Sequence, residues 1–414
     1  MKEQGRYDVI VVGARCAGSA TAMLLARRGH SVLLVDRDEF PSDMPASTHL
    51  IWQSGIASLT RWGLLDQLKA TNCPAMQTVS LDLGGLVLRG TPRPAGLTVD
   101  AYAPRRFALD NVLLDAAQKA RVEFRQRFVV RDLIRTDGRV SGISGTDASG
   151  SAVEFGARLV VGADAINSIV ARLAQAPVLD EHPTLQGVVW SYFSNLPVDG
   201  VQFFARPGRM ILAWSTNDDQ TLVGICARQE AYAELAKGRD ADVLAELKSL
   251  IPALGAKIEA SHQECKWLTR STKGIRRQAS GPGWALVGDA GLTMDPITAA
   301  GITNAFRDAE LLSDAIHDGL AGSQPLDDAV AGFGPARDAI SIPLYEFTRE
   351  TAKLDPPSQA VMDLFGALPG NQDAIDSYFG VFAQTVPVTE FFAPENLARI
   401  IARAGADSGD SLKA

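Results

Sequence analysis

The sequence has little of what a metal site or a disulfide scaffold needs. Its four cysteines, Cys16, Cys73, Cys226 and Cys265, lie far apart with no C-x-x-C pair, and none of its five histidines stands in H-x-x-x-H spacing. Both observations argue against a zinc site and against a disulfide framework. There is no apolar run of about 18 residues, the length a membrane-spanning helix requires. Clusters of Lys and Arg are also missing, and the net charge is −8, so no nucleic-acid partner and no anionic membrane surface is expected. Gly (37) and Pro (21) stay near average usage, which disfavours collagen-like and disordered readings. What remains is 414 residues that are 46% hydrophobic and 21% charged. That is a globular chain, long enough for two or three domains or one interleaved unit. At its start Lys2 is offset by Glu3, and the apolar run flows into a glycine turn. We read this as a first strand, not a targeting segment, and expect a cytoplasmic protein.

Residues 7 to 36 carry the strongest local pattern. The apolar run Tyr7 to Val12 ends in the turn Gly13-Ala14-Arg15-Cys16-Ala17-Gly18, and a helical stretch follows to Arg28. Gly29 suits a helix C-cap, Arg27 and Arg28 suit the negative end of the helix dipole, and Ser31 to Asp36 reads as a second strand. Strand, glycine turn, helix, strand and terminal acid make up a dinucleotide-binding unit: the helix N-terminus receives a pyrophosphate and Asp36 a ribose hydroxyl. One position departs from G-x-G-x-x-G. Arg15 stands where the second glycine lets backbone approach the diphosphate, so its side chain must point away or contact phosphate.

Further along, Trp284 to Val287 is a short apolar strand breaking into Gly288-Asp289-Ala290, followed by Asp295-Pro296 and a helical run from Gly301. Asp289 at a strand end could accept a ribityl hydroxyl, while the amides and dipole at Gly301 and Ile302 would stabilise negative charge on a reduced flavin. Arg158 to Asp164 reads as another buried strand. Gly187 to Phe193, Met210 to Trp214 and Thr221 to Cys226 should form a separate sheet.

With these residues in view, the chain resembles the FAD-dependent monooxygenases of the aromatic hydroxylase type (para-hydroxybenzoate hydroxylase-like) and their geranylgeranyl reductase relatives. The motif G-D-A…P…G-x-x-x-A is matched by Gly288, Asp289, Ala290, Pro296, Gly301 and Ala305. The element G-A-D-G-x-x-S-x-V-R is echoed from Gly162 to Val170, with the arginine displaced to Arg172 and Ala165 in place of a glycine. R-x-x-L-x-x-x-L appears as Arg106, Leu109 and Leu113. Together the elements cover about residues 7 to 317. The resemblance implies an α/β fold in which a Rossmann-like, GR2-type FAD-binding domain (1–75, 105–175 and 274–320) is interleaved with a β-sheet substrate domain (76–104 and 176–273). Residues 321–414 would form a C-terminal helical region punctuated by Pro335, Pro343, Pro356 and Pro357, with Ser408 to Ala414 as a frayed tail.

The resemblance and the motifs assign FAD to Gly13, Ala14, Arg15, Ala17, Gly18, Asp36, Arg37, Arg106, Asp164, Gly288, Asp289, Pro296, Gly301 and Ile302. Asp164 is implicated in NAD(P)H use as well. Trp190, Tyr192, Trp214 and Phe204 would suit an aromatic substrate by stacking, although aromatics in strands also serve ordinary sheet packing. His49 is read either as a cofactor contact or base, or as a packing residue of the entry loop. Asp295 either touches substrate or caps the following turn. Cys16 is read as a small residue under the cofactor rather than a reactive thiol, and Arg276-Arg277 as a solvated pair unless a phosphate meets it.

The activity these residues imply is a flavin monooxygenase in which NAD(P)H reduces FAD and O2 supplies one oxygen atom to a small aromatic or polycyclic substrate. A geranylgeranyl reductase-type ene reductase is the alternative. It is weakened where Ser215-Thr216-Asn217 follows Trp214 instead of the relatives' aromatic stretch. A FAD-binding protein without turnover is a third reading, motivated by Arg15 and Ala165 at glycine positions.

Overall fold

The structure, a computed structural model, describes residues 2–45 and 47–410. The first strand, Lys2–Val12, lies parallel between Val32–Val35 and the long strand Ala152–Gly162, with Val9 opposite both Val32 and Leu159. The sheet continues through Glu123–Arg125 beyond one neighbour and Trp284–Leu286 beyond the other. Its alternate residues bury on opposite faces. Val9, Val11, Leu159 and Val161 pack with the helices Cys16–Arg27, Arg106–Lys119 and Gly301–Leu320. Ile10, Val12, Leu33 and Val160 pack under the hairpin formed by Val129–Thr136 and Arg139–Thr146. Covering on both faces explains why these strands read as continuous apolar runs.

The second sheet runs His262–Gln263, Gln186–Ser194, Gln220–Arg228, Arg209–Ser215, Val201–Arg206, Val79–Asp82 and Val87–Gly90, with Leu268–Ser271 also paired to Gln186–Ser194. Its strands come from sequence lying between those of the first sheet, so the two are interleaved. On one face Val188, Trp190, Tyr192, Leu212 and Trp214 pack with Phe365, Tyr378 and Phe379 of the C-terminal helices. On the other, Val189, Phe193, Ile211 and Val223 pack with Val243, Leu247 and Leu254. Three short strands, Val178–His182, Gly274–Arg277 and Leu292–Thr293, make a small third sheet.

Three local expectations change. The first strand begins at Lys2, not Tyr7, because it pairs with Ala152–Gly162 back to Val153. Pro343 does not punctuate: it sits inside the helix Phe333–Ala352, whose Phe333, Leu344 and Tyr345 are buried around it. Packing on both sides outweighs the one backbone hydrogen bond that proline removes. The final helix, Pro394–Asp410, takes in Ser408 to Asp410 of the expected tail, and 411–414 lie outside the described residues. Among the described residues no helix is long and apolar enough to cross a membrane.

Candidate flavin and substrate site

A cavity of about 470 Å³ runs along the carboxyl ends of the first sheet and reaches the second. At one end lie Asp36, Arg37, Asp38 and the edge Phe128–Arg131. Gly13, Arg15, Cys16, Ala17 and Arg106 line its middle, with Ala163, Asp164 and Ala165. At the other end are Asp289, Thr293 to Pro296, Gly301, Ile302, His49, Val188 and Trp190.

The glycine turn is built by close backbone approach. Gly13 has φ +105°, and a Cβ there would lie 2.5 Å from the Ala163 carbonyl oxygen; a Cβ on Gly18 would lie 1.7 Å from that of Gly13. With this packing the first helix starts at Cys16, and its leading amides have no intrahelical acceptor. Asp36 fixes the turn from the neighbouring strand end: its Oδ2 accepts from Ala14 N at 2.6 Å and its Oδ1 from Asp38 N at 2.9 Å. Burial pushes this carboxyl above its ordinary range, against those two amides.

Arg15 points away from the turn. Its guanidinium donates to Asp110 at 2.8 Å, Asp38 at 3.1 Å and Ser42 at 3.0 Å. Asp110 is fully buried and also accepts both arms of Arg106, at 3.0 Å each, and the Cys16 thiol. Two arginines thus share one buried carboxylate, and the long side chain leaves the backbone cradle clear. Burial holds the Cys16 thiol protonated, as a packing residue rather than a nucleophile. Restoring glycine, Arg15→Gly, is expected to lower the melting stability by about 1–3 kcal/mol through loss of a charged hydrogen bond to Asp110, with no gain in flavin retention. Thermal denaturation and flavin content of the purified variant check both parts.

Asp164 is engaged locally. Its oxygens accept from Ser168 Oγ at 2.5 Å, Ile169 N at 2.6 Å and Val170 N at 3.3 Å, which holds the start of the helix Ile169–Leu173. Ala165 has φ +65°, the left-handed backbone that glycine adopts without strain. The alanine therefore keeps the geometry and costs stability. Ala165→Gly is expected to stabilise the protein by about 1 kcal/mol at unchanged flavin content, read by thermal denaturation.

Asp289 is half-buried on the cavity wall. Burial pushes its carboxyl upward, opposed by Arg270 and Arg106. Gly301 and Ile302 open the 20-residue helix Gly301–Leu320 and line the same cavity. Arg277 donates to the carbonyls of Ala290 and Ile166, and Arg276 pairs with Asp338 at 3.0 Å. The Arg276-Arg277 pair is consequently half-buried and bonded to the protein, Arg276 to Asp338 and Arg277 to two carbonyls.

On the side of the second sheet, Val188 and Trp190 line the cavity, whereas Tyr192 and Trp214 lie behind its wall. His49 Nε2 and the Tyr192 hydroxyl are 2.6 Å apart, and Trp214 Nε1 donates to the Thr48 carbonyl at 3.0 Å. The two aromatics pin the entry loop instead of meeting the cavity. Phe204 packs against the opposite face of the sheet. The guanidinium of Arg105 sits 4.2 Å from the Tyr192 ring centre. His49 has φ +67° and is 2% exposed, and its Nδ1 has no partner. Burial and the nearby Arg106 and Arg105 hold its imidazole well below the usual range, hence neutral.

Of the assigned residues, Gly13, Arg15, Ala17, Asp36, Arg37, Arg106, Asp164, Asp289, Pro296, Gly301 and Ile302 line the cavity; Ala14, Gly18 and Gly288 do not. Asp38, Asp110, Arg105, Arg270 and Met294 were not singled out. Of these only Asp110, four residues after Arg106 on a helix, left a sequence signal. The arrangement fits a flavin dinucleotide: a backbone cradle with free amides for a pyrophosphate, a strand-end acid for a ribose, and a second acid and helix N-terminus at the far end.

The fold and site thus define a flavin-binding protein of the dinucleotide type. The FAD binding domain family matches residues 6–329, and the chain belongs to it, as a FAD-dependent flavoprotein of the hydroxylase type. It is 28% identical over 310 residues to 6-methylpretetramide 4-monooxygenase of Streptomyces rimosus, covering 73% of each chain. It is 25% identical over 332 residues to a digeranylgeranylglycerophospholipid reductase of Methanocella arvoryzae, covering 76% of this chain and 78% of the other. Among solved structures, the flavin-dependent brominase Bmp2 superposes with a TM-score of 0.79 at 17% identity, over 98% of this chain and 99% of that one.

Proposed function

We propose that this protein is a monooxygenase that uses NAD(P)H and O2 to place one oxygen atom on a small aromatic or polycyclic substrate. The observation that carries the reading is the junction of two different walls in one cavity: the cofactor cradle of the first sheet meets an apolar face made of Val188, Trp190, Met294 and Leu50. Likeness to 6-methylpretetramide 4-monooxygenase supports it. FAD, when bound, supplies the redox chemistry. The chain's own residues bind, orient and exclude water. The amides of Cys16 and Ala17 would hold the pyrophosphate, Asp36 a ribose, and Asp289 with Arg106 the ribityl region. Gly301 and Ile302, at a helix N-terminus, would stabilise negative charge beside them. Val188 and Trp190 would receive a flat apolar ring, and the anchored, neutral His49 would close the wall without adding charge.

The test is the visible spectrum of the purified protein, taken as isolated, after anaerobic NADPH, and after air in the presence of labelled O2 and aromatic candidates. Flavin that bleaches and then reoxidises, with one labelled oxygen in the product, is expected. A product that gains two hydrogens and no oxygen would replace the reading by an ene reductase. Colourless protein that FAD cannot reconstitute would overturn it.

A further inference from the structure

Two turns at the carboxyl ends of neighbouring strands of the first sheet contribute to the cavity: 163–167, which follows Ala152–Gly162 and carries Asp164, and 288–291, which follows Trp284–Leu286 and carries Asp289. Every carbonyl of the second turn is held. That of Gly288 accepts from Gly291 N at 2.9 Å and that of Asp289 from Thr293 Oγ1 at 2.7 Å, while Ala290 O accepts from Arg277 Nη1 at 2.9 Å and Gly291 O from Arg277 N at 2.8 Å. The other arm of the same guanidinium, Nη2, donates to Ile166 O of the first turn at 3.0 Å. One side chain, arriving from the small third sheet, thus bridges two turns that lie far apart in sequence. Arg277 is itself fixed from behind: its carbonyl accepts at 3.3 Å from Nη2 of Arg337, a fully buried residue of the helix Phe333–Ala352. The next turn, Pro296–Thr298, has its own support, since Asp295 Oδ1 accepts from Ile297 N at 3.0 Å and from Gln186 Nε2 at 2.5 Å.

We propose that Arg277 is a positioning residue for FAD: its fork sets the separation of the Asp164 and Asp289 turns, and with it the affinity of the cavity for the cofactor. Arg277 does not line the cavity, so it acts through the two turns. Both of its side-chain bonds are charge-assisted and directed by one rigid plane, so they fix a distance as well as satisfy two carbonyls. Burial works against the charge of this half-buried group, and Glu181 and Asp164 favour it. Lysine in the same place would keep the charge on a single nitrogen, without a plane to span two acceptors. The neighbouring Arg276 provides the comparison, because its guanidinium pairs with Asp338 at 3.0 Å rather than with either turn. The role is independent of which substrate the second sheet receives.

The experiment dilutes the FAD-loaded proteins at neutral pH, well below the melting temperature of each, and reads the dissociation constant from the flavin fluorescence that appears on release. In Arg277→Lys, with melting confirming the fold, FAD should bind about tenfold more weakly. In Arg276→Gln the affinity should match the wild type, whatever the change in melting. Arg277→Ala should lose affinity further and recover part of it in ethylguanidinium chloride but not in ethylammonium chloride at the same concentration, a response that a general loss of stability does not give. Wild-type affinity in Arg277→Lys, an equal loss in Arg276→Gln, or the same response to both salts would overturn the role of Arg277. If the alanine variant does not fold, the comparison of Arg277→Lys with Arg276→Gln decides alone.

Discussion

Replacing Gly18 by alanine is expected to give a protein that melts far below the wild type and purifies without flavin. The added Cβ would sit 1.7 Å from the Gly13 carbonyl oxygen and 3.1 Å from the Ala163 Cβ. No rotamer relieves a Cβ, so the first helix must lift off the turn. Both sides of the contact are backbone, which places the cost at about 3 kcal/mol or more, the upper end for overpacking. The lifted helix carries the amides of Cys16 and Ala17 away from the cavity, so flavin binding is lost with the packing. Thermal denaturation together with the visible spectrum checks this, and a yellow Gly18→Ala protein of wild-type stability would contradict the described turn.

The second large effect has the opposite sign. Asp295→Asn should make the protein more stable at neutral and alkaline pH. The folded carboxyl titrates near 7, against an ordinary value of 3.8, so the folded state holds this proton more tightly than the unfolded chain. Its stabilising contribution is fully present below about pH 4 and is lost as pH rises through about 7. The asparagine variant does not titrate. Its advantage over the wild type should therefore grow from about pH 4 to about pH 8, by on the order of 2–4 kcal/mol. Denaturant unfolding of the FAD-loaded proteins at several pH values measures this. A stability difference independent of pH would show that Asp295 is ionised throughout.

The cofactor half of the site was legible because it is local. A glycine turn between an apolar strand and a helix, and an acid at the next strand end, are contiguous patterns with a direct geometric meaning. The structure brings Gly13, Asp36, Arg106, Asp289 and Gly301 to one cavity. The end formed by the second sheet was harder. Strand alternation puts Val188, Trp190 and Tyr192 on one face of Gln186–Ser194, yet it does not say what lies over each of them. The entry loop covers Tyr192 through His49 and takes the indole of Trp214 through Thr48, and Phe204 packs on the other face, so only Trp190 of the four suggested aromatics reaches the cavity. Arg15 shows the same limit. Its departure from glycine was visible, but its partners lie 23 and 95 residues away at Asp38 and Asp110.

The cradle also has a history in the synthesis of the chain. Gly13 rests on Ala163, and the cavity is completed only by residues 289–302. A growing chain that has not yet released the strand Trp284–Leu286 has the turn, the first helix and Asp36, but neither the acid nor the helix end at the far side. The cavity is therefore complete only once the chain has passed residue 302. A ligand that binds only the complete cavity adds its binding energy to the folded chain alone, so bound FAD would act as a clasp across interleaved parts.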